Sequence, residues 1–282
     1  MKNFSFVDET IDINRTHSYI LSIQLDLDGF SFSILDRVRN KAVVLQHYYL
    51  PETLTPDEKA GQIKKILREN KFFQSTYKKI ILLQNSPKSI MIPRALFQEK
   101  YLKSYFEFNH PLGELEEIHY NHIEETNSYN IFTLPNPVSN AIIQHFKNVE
   151  LYHQALPFIF HAINYLHSEN KIVSLYLNNH FIDLGVFEEN KMLLYNSFKI
   201  STEEDVLYFV LYIYKQLNLD TKSNELFISG NCDQIKDPSQ LFKKYIKKVH
   251  RERPPQEIIY SYTFKKPQFN YFTNLFRLNL CV

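Results

Sequence analysis

Residues Ile23–Asp36 read IQLDLDGFSFSILD, and without a gap they align with Leu175–Glu188, which read LYLNNHFIDLGVFE. In both segments two apolar runs are separated by a short polar turn, a pattern that is typical of a β-hairpin. Asp26 aligns with Asn178 at the point where the turn begins. A hairpin that the chain contains twice predicts two lobes of similar fold.

The elements predicted around each hairpin come in the same order, which supports the duplication. In the first half, strands at 19–26, 30–37 and 42–50 precede a helix at 56–70 and a strand at 79–84. In the second half, strands at 172–177, 181–187 and 192–198 precede a helix at 201–217 and a strand at 225–229. Thr55 and Ser201 are the predicted N-caps of the two helices. We expect the first lobe to span residues 1–153 and the second to span residues 154–282.

Between the repeated halves lies a segment with a different pattern. It predicts a helix at 93–107, a hairpin of strands 115–124 and 129–134, and a helix at 137–147. Together these form a small α+β insertion at about 93–147 in the first lobe. The second half continues with a predicted helix at 238–249 and a strand at 257–262. The stretch Val206–Leu211 is apolar on all sides, which predicts a helix buried between layers.

The composition is that of a folded protein with few glycines. Of 282 residues, 44% are hydrophobic and 22% are charged, which excludes disorder as the main state. Lys and Arg number 32 against 31 for Asp and Glu, so no strong electrostatic field for nucleic acid is expected. The five glycines compare with roughly 20 at average usage. Because loops that bind phosphate need glycine for a close approach of the backbone, this shortage argues against a phosphate site.

The compartment is predicted from cysteines and apolar runs. Cys232 and Cys281 are the only cysteines, too few for a disulfide framework or a four-cysteine metal site. The acidic N-terminal segment does not have the pattern of a signal peptide. The most apolar helical stretch, 206–214, is far shorter than the ~20 residues that span a bilayer. We therefore predict a cytoplasmic protein without a transmembrane segment.

Three segments, 23–36, 80–94 and 224–231, carry a resemblance to known proteins. Through them the chain resembles the Bacteroidetes domain-of-unknown-function family 3822, for which an actin-like ATPase fold is expected. The repeated order of three strands, a helix and a strand resembles the ground plan of the actin-like ATPase superfamily, which includes actin, Hsp70 and sugar kinases. The resemblance implies an α/β protein with a duplicated RNase H-like (actin-like ATPase) fold, in which two lobes of mixed sheet have flanking helices. The insertion resembles the extra subdomain of actin-like proteins that act in bacterial division, pilus assembly and type II secretion.

The same resemblance implies where a nucleotide would bind. In active superfamily members each hairpin carries Asp-x-Gly followed by small or hydroxyl residues that hold phosphates, and the first Asp holds Mg²⁺ through water. Here Asp28 stands in place of the first Gly, and Phe30 adds bulk where a phosphate would lie. The second hairpin has neither an acid nor a glycine at its turn, and the nucleoside-binding segment keeps one glycine of the usual pair. The candidate residues of a residual nucleotide cleft are Asp26, Asp28, Gly29, Ser31, Asn178, Asn179, Gly230 and Asn231.

Plainer interpretations of these residues are open and are favoured. Asp26 and Asp28 are either a metal-binding pair, as in RNase H-like nucleases, or turn acids that accept backbone N–H bonds. Gly230 is either a ligand contact or simply a residue in a left-handed turn. A basic stripe at helical spacing is either a surface for nucleic acid or an acidic partner, or a solvated helix face near a C-terminus. The stripe consists of Lys243, Lys244, Lys247 and Lys248, with His250, Arg251 and Arg253 after them.

The function that these observations favour is a non-catalytic binding or scaffolding module, a pseudo-ATPase with degenerate phosphate loops. We assign it no catalytic residue, no metal site and no cofactor, and we expect a protein partner of unknown identity. The alternative is a nucleotide-dependent ATPase or phosphotransferase that uses Mg-ATP, with Asp26 for Mg²⁺ and Gly230 near the nucleoside. A nuclease that acts through Asp26 and Asp28 has the least support.

Overall fold

The computed structural model describes residues 3–264 and 268–282, which fall into two compact units. The first unit comprises residues 3–121, 129–154 and 256–264, and the second comprises residues 122–128, 155–255 and 268–282. Each unit is therefore built from more than one stretch of the chain. Among the described residues, no helix is long and apolar enough to cross a membrane.

Strands and helices alternate along the chain in the manner of a mixed α/β protein. The strands are β1 (Phe4–Val7), β2 (Tyr19–Asp26), β3 (Gly29–Asp36), β4 (Lys41–Tyr49), β5 (Lys79–Gln84), β6 (Ser89–Pro93), β7 (Glu116–Ile123), β8 (Ser128–Pro135), β9 (Glu150–His153), β10 (Ile172–Leu177), β11 (Phe181–Glu188), β12 (Lys191–Lys199), β13 (Glu225–Gly230), β14 (Val249–Arg251) and β15 (Ile259–Tyr260). The helices are α1 (Pro56–Glu69), α2 (Leu102–Asn109), α3 (Asn136–Ile143), α4 (Ala155–Tyr165), α5 (Glu203–Gln216), α6 (Pro238–Lys243) and α7 (Thr273–Cys281).

The two large sheets share a five-stranded core of the same topology, β4-β3-β2-β5-β9 in the first and β12-β11-β10-β13-β14 in the second. The first has the order β1-β4-β3-β2-β5-β9, with β15 beside β4, and the second has the order β12-β11-β10-β13-β14. In each, three antiparallel strands are followed by two that run parallel to the central strand. Leu25 pairs with Phe30 in one hairpin, and Leu177 pairs with Ile182 at the aligned position of the other. The predicted duplication and the gapless alignment are therefore confirmed.

One face of each large sheet is packed against helices because apolar residues alternate along its strands. In the first unit, Ile23 and Phe32 lie in a buried cluster with Ile63 of α1 and Ile142 of α3. In the second unit, the equivalent cluster joins residues of the sheet to α5 and α6; its members include Leu175, Leu184, Ile228, Val206, Val210 and Phe242. The third sheet, β6-β8-β7, contains the predicted hairpin, and its strand β6 starts at Ser89, before the predicted start of the insertion at about residue 93.

The start of α1 is as predicted, and the start of α5 differs by one residue. Thr55 caps α1 in a reciprocal capping box with Glu58. The cap of α5 is Thr202, in a capping box with Asp205, and not Ser201. Both hydroxyl residues have an acid three positions later, so the sequence pattern fits either. The Ser201 N–H donates to Asp205 Oδ2 at 2.8 Å, which leaves Ser201 outside the helix.

Two predicted helices are partly strands. The segment predicted as a helix at 93–107 begins with the end of β6 and two short 3₁₀ turns, and α2 starts only at Leu102. Ile90 and Ile92 are β-branched, which suits a strand, and β6 pairs with β8. The helix predicted at 238–249 ends at Lys243, and Val249 begins β14, which pairs with β13.

The end of α6 overturns the predicted basic stripe. Lys244 is the C-cap of that helix, so Lys247 and Lys248 lie beyond it and do not continue its face. Lys248 instead forms an ion pair with Glu225 of β13, 3.3 Å from Nζ to Oε1. The strand predicted at 257–262 is likewise reduced to the two residues of β15.

Helix α5 is not buried on all sides. Val206 and Val210 lie in the core, as expected, but Tyr208 is 60% exposed and Tyr212 is 41% exposed. Since tyrosine is amphipathic, apolar counting along the sequence overestimated the buried fraction of this helix.

Candidate functional site

The eight predicted site residues fall into two sets, one in each unit. Asp26, Asp28, Gly29 and Ser31 belong to the first unit, at the turn between β2 and β3. The other set is in the second unit and comprises Asn178, Asn179, Gly230 and Asn231. Each set lies where two central strands of a sheet end.

Asp26 is held by two side-chain amides at the end of β2. It is 8% exposed, its Oδ2 accepts from Gln24 Nε2 at 2.8 Å, and its Oδ1 accepts from Asn85 Nδ2 at 2.7 Å. Asn85 follows β5 and is fixed in turn, because its backbone N–H donates to Leu25 O at 2.8 Å. The carboxylate therefore ties the ends of two parallel strands together through charge-assisted hydrogen bonds.

A lysine from α1 reaches the same turn. Lys59 Nζ donates to Leu27 O at 2.6 Å. Burial lowers the pKa of Lys59, while the negative charges of Asp28 and Asp26 act in the opposite direction. The chain thus supplies its own cation beside the two carboxylates. Sequence reasoning missed Lys59 because its partner lies 32 positions earlier.

Gly29 and Ser31 both serve the packing of His47. Ser31 Oγ and His47 Nδ1 are 2.8 Å apart and both residues are buried. A Cβ added to Gly29 would lie 2.5 Å from His47 Cε1, so the glycine is needed for the imidazole ring. Burial lowers the pKa of His47 to about 4. The signal that could have revealed His47 is its position opposite Ser31 in the β3–β4 pair.

Phe30 does not obstruct this turn, contrary to the sequence-based expectation. Its side chain is fully buried and points into the core of the first unit. The ring lies 6.0 Å from that of Phe73 and 6.4 Å from that of Tyr48, measured between centroids. Since successive residues of a strand point to opposite faces, Phe30 faces the core whereas Ser31 faces His47.

These groups do not fit a magnesium–triphosphate. Asp26 is engaged by two amides, and the Ser31 hydroxyl is directed to His47. Asp28 adds a second negative charge at a position where a triphosphate needs an uncharged, close backbone. Among the described residues, no group of three or more His, Cys, Asp or Glu is arranged to hold a metal ion.

The second turn is closed by contacts within its own unit. Asn178 Oδ1 accepts from the His180 N–H at 3.1 Å, which forms an Asx turn. Asn179 Oδ1 accepts from the Asp233 N–H at 2.8 Å, and Asn179 Nδ2 donates to Asp233 Oδ2 at 3.3 Å. The Tyr271 hydroxyl also donates to Asp233. Asp233 and Tyr271, which sequence reasoning missed, tie this turn to the loop after β13.

Gly230 is required by the backbone around it. Its φ is +72°, and a Cβ there would lie 2.2 Å from Leu177 O. Arg251 Nη2 donates to Gly230 O and lies 3.4 Å from Asn231 Oδ1. The Asn231 N–H donates to Leu177 O at 3.0 Å, just as Asn85 bonds to Leu25 in the first unit. The left-handed turn therefore accounts for Gly230 without any ligand.

A buried ionic cluster lies elsewhere in the second unit and was not predicted. Arg277 of α7 is 1% exposed, and its Nη2 donates to Glu252 Oε1 at 2.9 Å. His161 Nε2 is 2.5 Å from the same oxygen, and Arg277 Nη1 donates to Ser229 Oγ at 3.1 Å. Burial acts to raise the pKa of Glu252, but Arg277 and His161 outweigh it and hold the pKa at about 2. The cluster pins α4 and α7 to the end of the sheet.

The comparison with protein families assigns the chain. The family described as "Protein of unknown function (DUF3822)" matches residues 8–249, and the chain belongs to this family. No curated protein matches the chain.

Solved structures give the fold. A protein from Bacteroides thetaiotaomicron VPI-5482 with an actin-like ATPase fold and unknown function is 26% identical. The match covers 97% of this chain and 100% of that one, with a TM-score of 0.83. The PilM–PilN type IV pilus biogenesis complex matches at 11% identity over 93% of this chain and 97% of that one, TM-score 0.56. The ethanolamine utilization protein EutJ from Carboxydothermus hydrogenoformans matches at 9% identity over 98% and 93%, TM-score 0.53. The predicted family and actin-like fold are confirmed.

Proposed function

From its membership of a family with an actin-like fold, we propose that the chain is a non-catalytic binding or scaffolding module. The observation that carries the proposal is the engagement of Asp26, the carboxylate that would serve Mg²⁺ in an active relative, by Gln24 and Asn85. Lys59 and Asp28 add fixed charges to the same turn. In this proposal, contacts within the chain take the place that phosphate contacts have in an active relative.

We propose that the ligand of this module is another protein. The PilM–PilN structure is that of a complex, and a likeness at 11% identity supports a shared fold. A cytoplasmic location is part of the proposal, because the described cysteines Cys232 and Cys281 form no disulfide, as is usual in a reducing compartment.

The test is a titration with Mg-ATP. Isothermal calorimetry and a phosphate-release assay on the whole chain are expected to show neither saturable binding nor turnover, because the turns do not present a magnesium–triphosphate site. Asp26→Asn is the matched variant and is expected to give the same null result in both assays. Micromolar binding with turnover that Asp26→Asn abolishes would establish the alternative, an ATPase or phosphotransferase.

A further inference from the structure

Two strands at equivalent places in the two large sheets differ in what lies beyond them. β4 pairs with β3, and β12 pairs with β11. Leu45 of β4 lies opposite Ser33, and Tyr195 of β12 lies opposite Gly185, the residue that aligns with Ser33. β4 pairs on its other side with β1, antiparallel, and at its start with β15. Within residues 3–264 and 268–282, β12 is the last strand of its sheet.

The hydrogen-bonding pattern shows which backbone N–H and C=O groups of each strand point away from its neighbour. In an antiparallel ladder every second residue bonds to the same neighbour. The Leu50 N–H bonds to Asp28 O, so the backbone N–H and C=O groups of Leu45 and His47 point away from β3. These two residues pair with Phe6 and Phe4 of β1. The first unit therefore uses this row of backbone groups to hold a strand.

β12 has the same hydrogen-bonding pattern. The Ile200 N–H bonds to His180 O at 3.0 Å. The backbone N–H and C=O groups of Tyr195, Ser197 and Lys199 therefore point away from β11. The Ser197 N–H donates to Asn196 Oδ1 at 2.9 Å, a local side-chain contact in the place where a carbonyl of a further strand would accept. This edge of the second sheet presents the row of groups that β1 occupies in the first.

Exposure agrees with this difference. β4 is buried from Ala42 to His47, whereas every residue of β12 is half-buried or exposed, and Leu193 is 46% exposed. On the face of β12 that carries Phe198, the ring of Phe209 from α5 stacks at 4.4 Å between centroids. The exposed Tyr208 and Tyr212 continue this aromatic surface, with their rings 5.8 Å apart.

The first unit also shows what charge an occupant would carry. Lys41 is the first residue of β4, and its Nζ lies 2.8 Å from Oδ2 of Asp8, the residue that follows β1. Lys191 is the first residue of β12 and is exposed. A second copy of β12 paired antiparallel about Tyr195 would place Lys191 opposite Lys199, and like charges in that position are destabilising. An acidic residue after the added strand pairs with Lys191 instead.

We propose that the β12 edge binds an extended segment of a partner protein as an added antiparallel strand, with alternating apolar residues followed by an acid. This proposal assigns the binding role proposed above to the β12 edge and specifies the chemistry of the partner. It rests on that role, but its test is independent of nucleotide: Mg-ATP turnover would overturn the role, whereas a failure of strand addition would overturn only this surface.

The probe is a synthetic peptide with the sequence of residues 3–9, and the comparison peptide has Lys in place of the residue that corresponds to Asp8. NMR of the whole chain is expected to show slower amide exchange at Tyr195 and Lys199 on addition of the first peptide. The second peptide is expected to bind roughly fivefold more weakly, the range of one exposed ion pair. Lys191→Glu is expected to reverse this preference, and Lys222→Glu, at another exposed lysine, is expected to leave it unchanged.

Tyr195→Pro removes one outward N–H and is expected to abolish protection along β12; the Lys191→Glu reversal stands as a test even where the proline variant does not fold. Any of the following results would overturn the proposal. The first is exchange protection that changes only at Leu45 and His47, where the peptide would be replacing β1. The second is a peptide preference that Lys191→Glu leaves unchanged, or no effect on β12 at millimolar peptide. The third is a concentration-dependent dimer that protects β12, since the occupant would then be a second copy.

Discussion

The two units repeat one backbone plan with different side-chain chemistry at equivalent places. Ser31 and His47 form a buried hydrogen-bonded pair across β3 and β4. At the aligned positions of β11 and β12, the Ser197 hydroxyl donates to Asp183 Oδ1 at 2.5 Å. A cross-strand polar pair has been kept while its members changed, because a buried polar group needs a partner but not one particular partner. Strand pairing, and not the identity of the polar groups, is what the duplication preserved.

Gly230→Ala is expected to have the largest effect on the difference in stability between the two units. The change places a side chain at φ +72° and 2.2 Å from Leu177 O, so the end of β10 has to move. We expect the second unit to lose about 4 kcal/mol or more of unfolding free energy, in the range of severe backbone strain. Denaturant unfolding followed by unit-resolved hydrogen exchange measures this. Loss confined to the first unit would contradict it.

Glu252→Gln tests the ionic cluster of the second unit. The change removes the charge that Arg277 and His161 share and leaves the buried guanidinium without its counter-ion. A loss of about 3–5 kcal/mol is expected in that unit. Glu225→Gln is the matched control at a carboxylate on the rim, where the Lys248 pair is partly exposed and a smaller loss is expected.

Acid is expected to weaken the two units over different pH ranges. The pKa of His47 is lowered by burial from 6.5 to about 4, so the unfolded chain binds more protons between those values and the first unit loses stability as pH falls through them. The pKa of Glu252 is lowered from 4.5 to about 2, so the second unit loses stability between pH 4.5 and 2. Each loss is about 3 kcal/mol.

Exchange of amide hydrogens in each unit, measured across this pH range, gives the two profiles separately. His153, which burial also shifts downward to a pKa of about 3, adds to the loss in the first unit. Equal profiles for the two units would show that the lowered pKa values do not control their acid stability.

Gly29→Ala is the counterpart of Gly230→Ala in the first unit and is expected to do less. The three atoms nearest to the new Cβ all belong to the ring of His47, a side chain, whereas at Gly230 the nearest atom is a backbone oxygen. Overpacking of this kind costs about 1–3 kcal/mol. Pairing the change with His47→Ala is expected to restore part of the loss if the ring is the cause, which a double-mutant cycle measures.

Gly61→Ala is a glycine substitution that is expected to stabilise the first unit, in contrast to Gly29→Ala. Gly61 lies in α1, and an added Cβ there meets nothing within 4 Å. We expect a gain of about 0.5–1 kcal/mol, because alanine favours the helix over the unfolded chain. A loss in thermal unfolding would mean that this position has a contact that the backbone geometry does not reveal.

Much of the fold could be predicted because it depends on local patterns. The alternation in Ile23–Asp36 and Leu175–Glu188 determined the hairpins and their register, and Thr55 with Pro56 determined the start of α1. The site could not be predicted in the same way. Lys59 and Tyr271 reach their turns from distant positions in the sequence, and no local pattern records such contacts.

The misplaced predictions have related causes. A lysine-rich segment after Pro238 matched helical spacing, yet Val249–Arg251 gain more by pairing with β13. Phe30 was judged by its place in a motif and not by strand alternation, which sends its ring into the core. In both cases tertiary pairing decided the outcome over the local pattern.

The position of β15 has a consequence for how the chain is made. Ile259 and Tyr260 pair with Lys41 and Ala42, so a strand that follows residues 155–255 of the second unit joins the sheet of the first unit. A ribosome has to translate residues 155–255 of the second unit before the first unit has all the strands that the structure describes. Expression of residues 1–154 alone would therefore yield that unit without β15, and a stop codon anywhere between residues 155 and 258 would have the same effect.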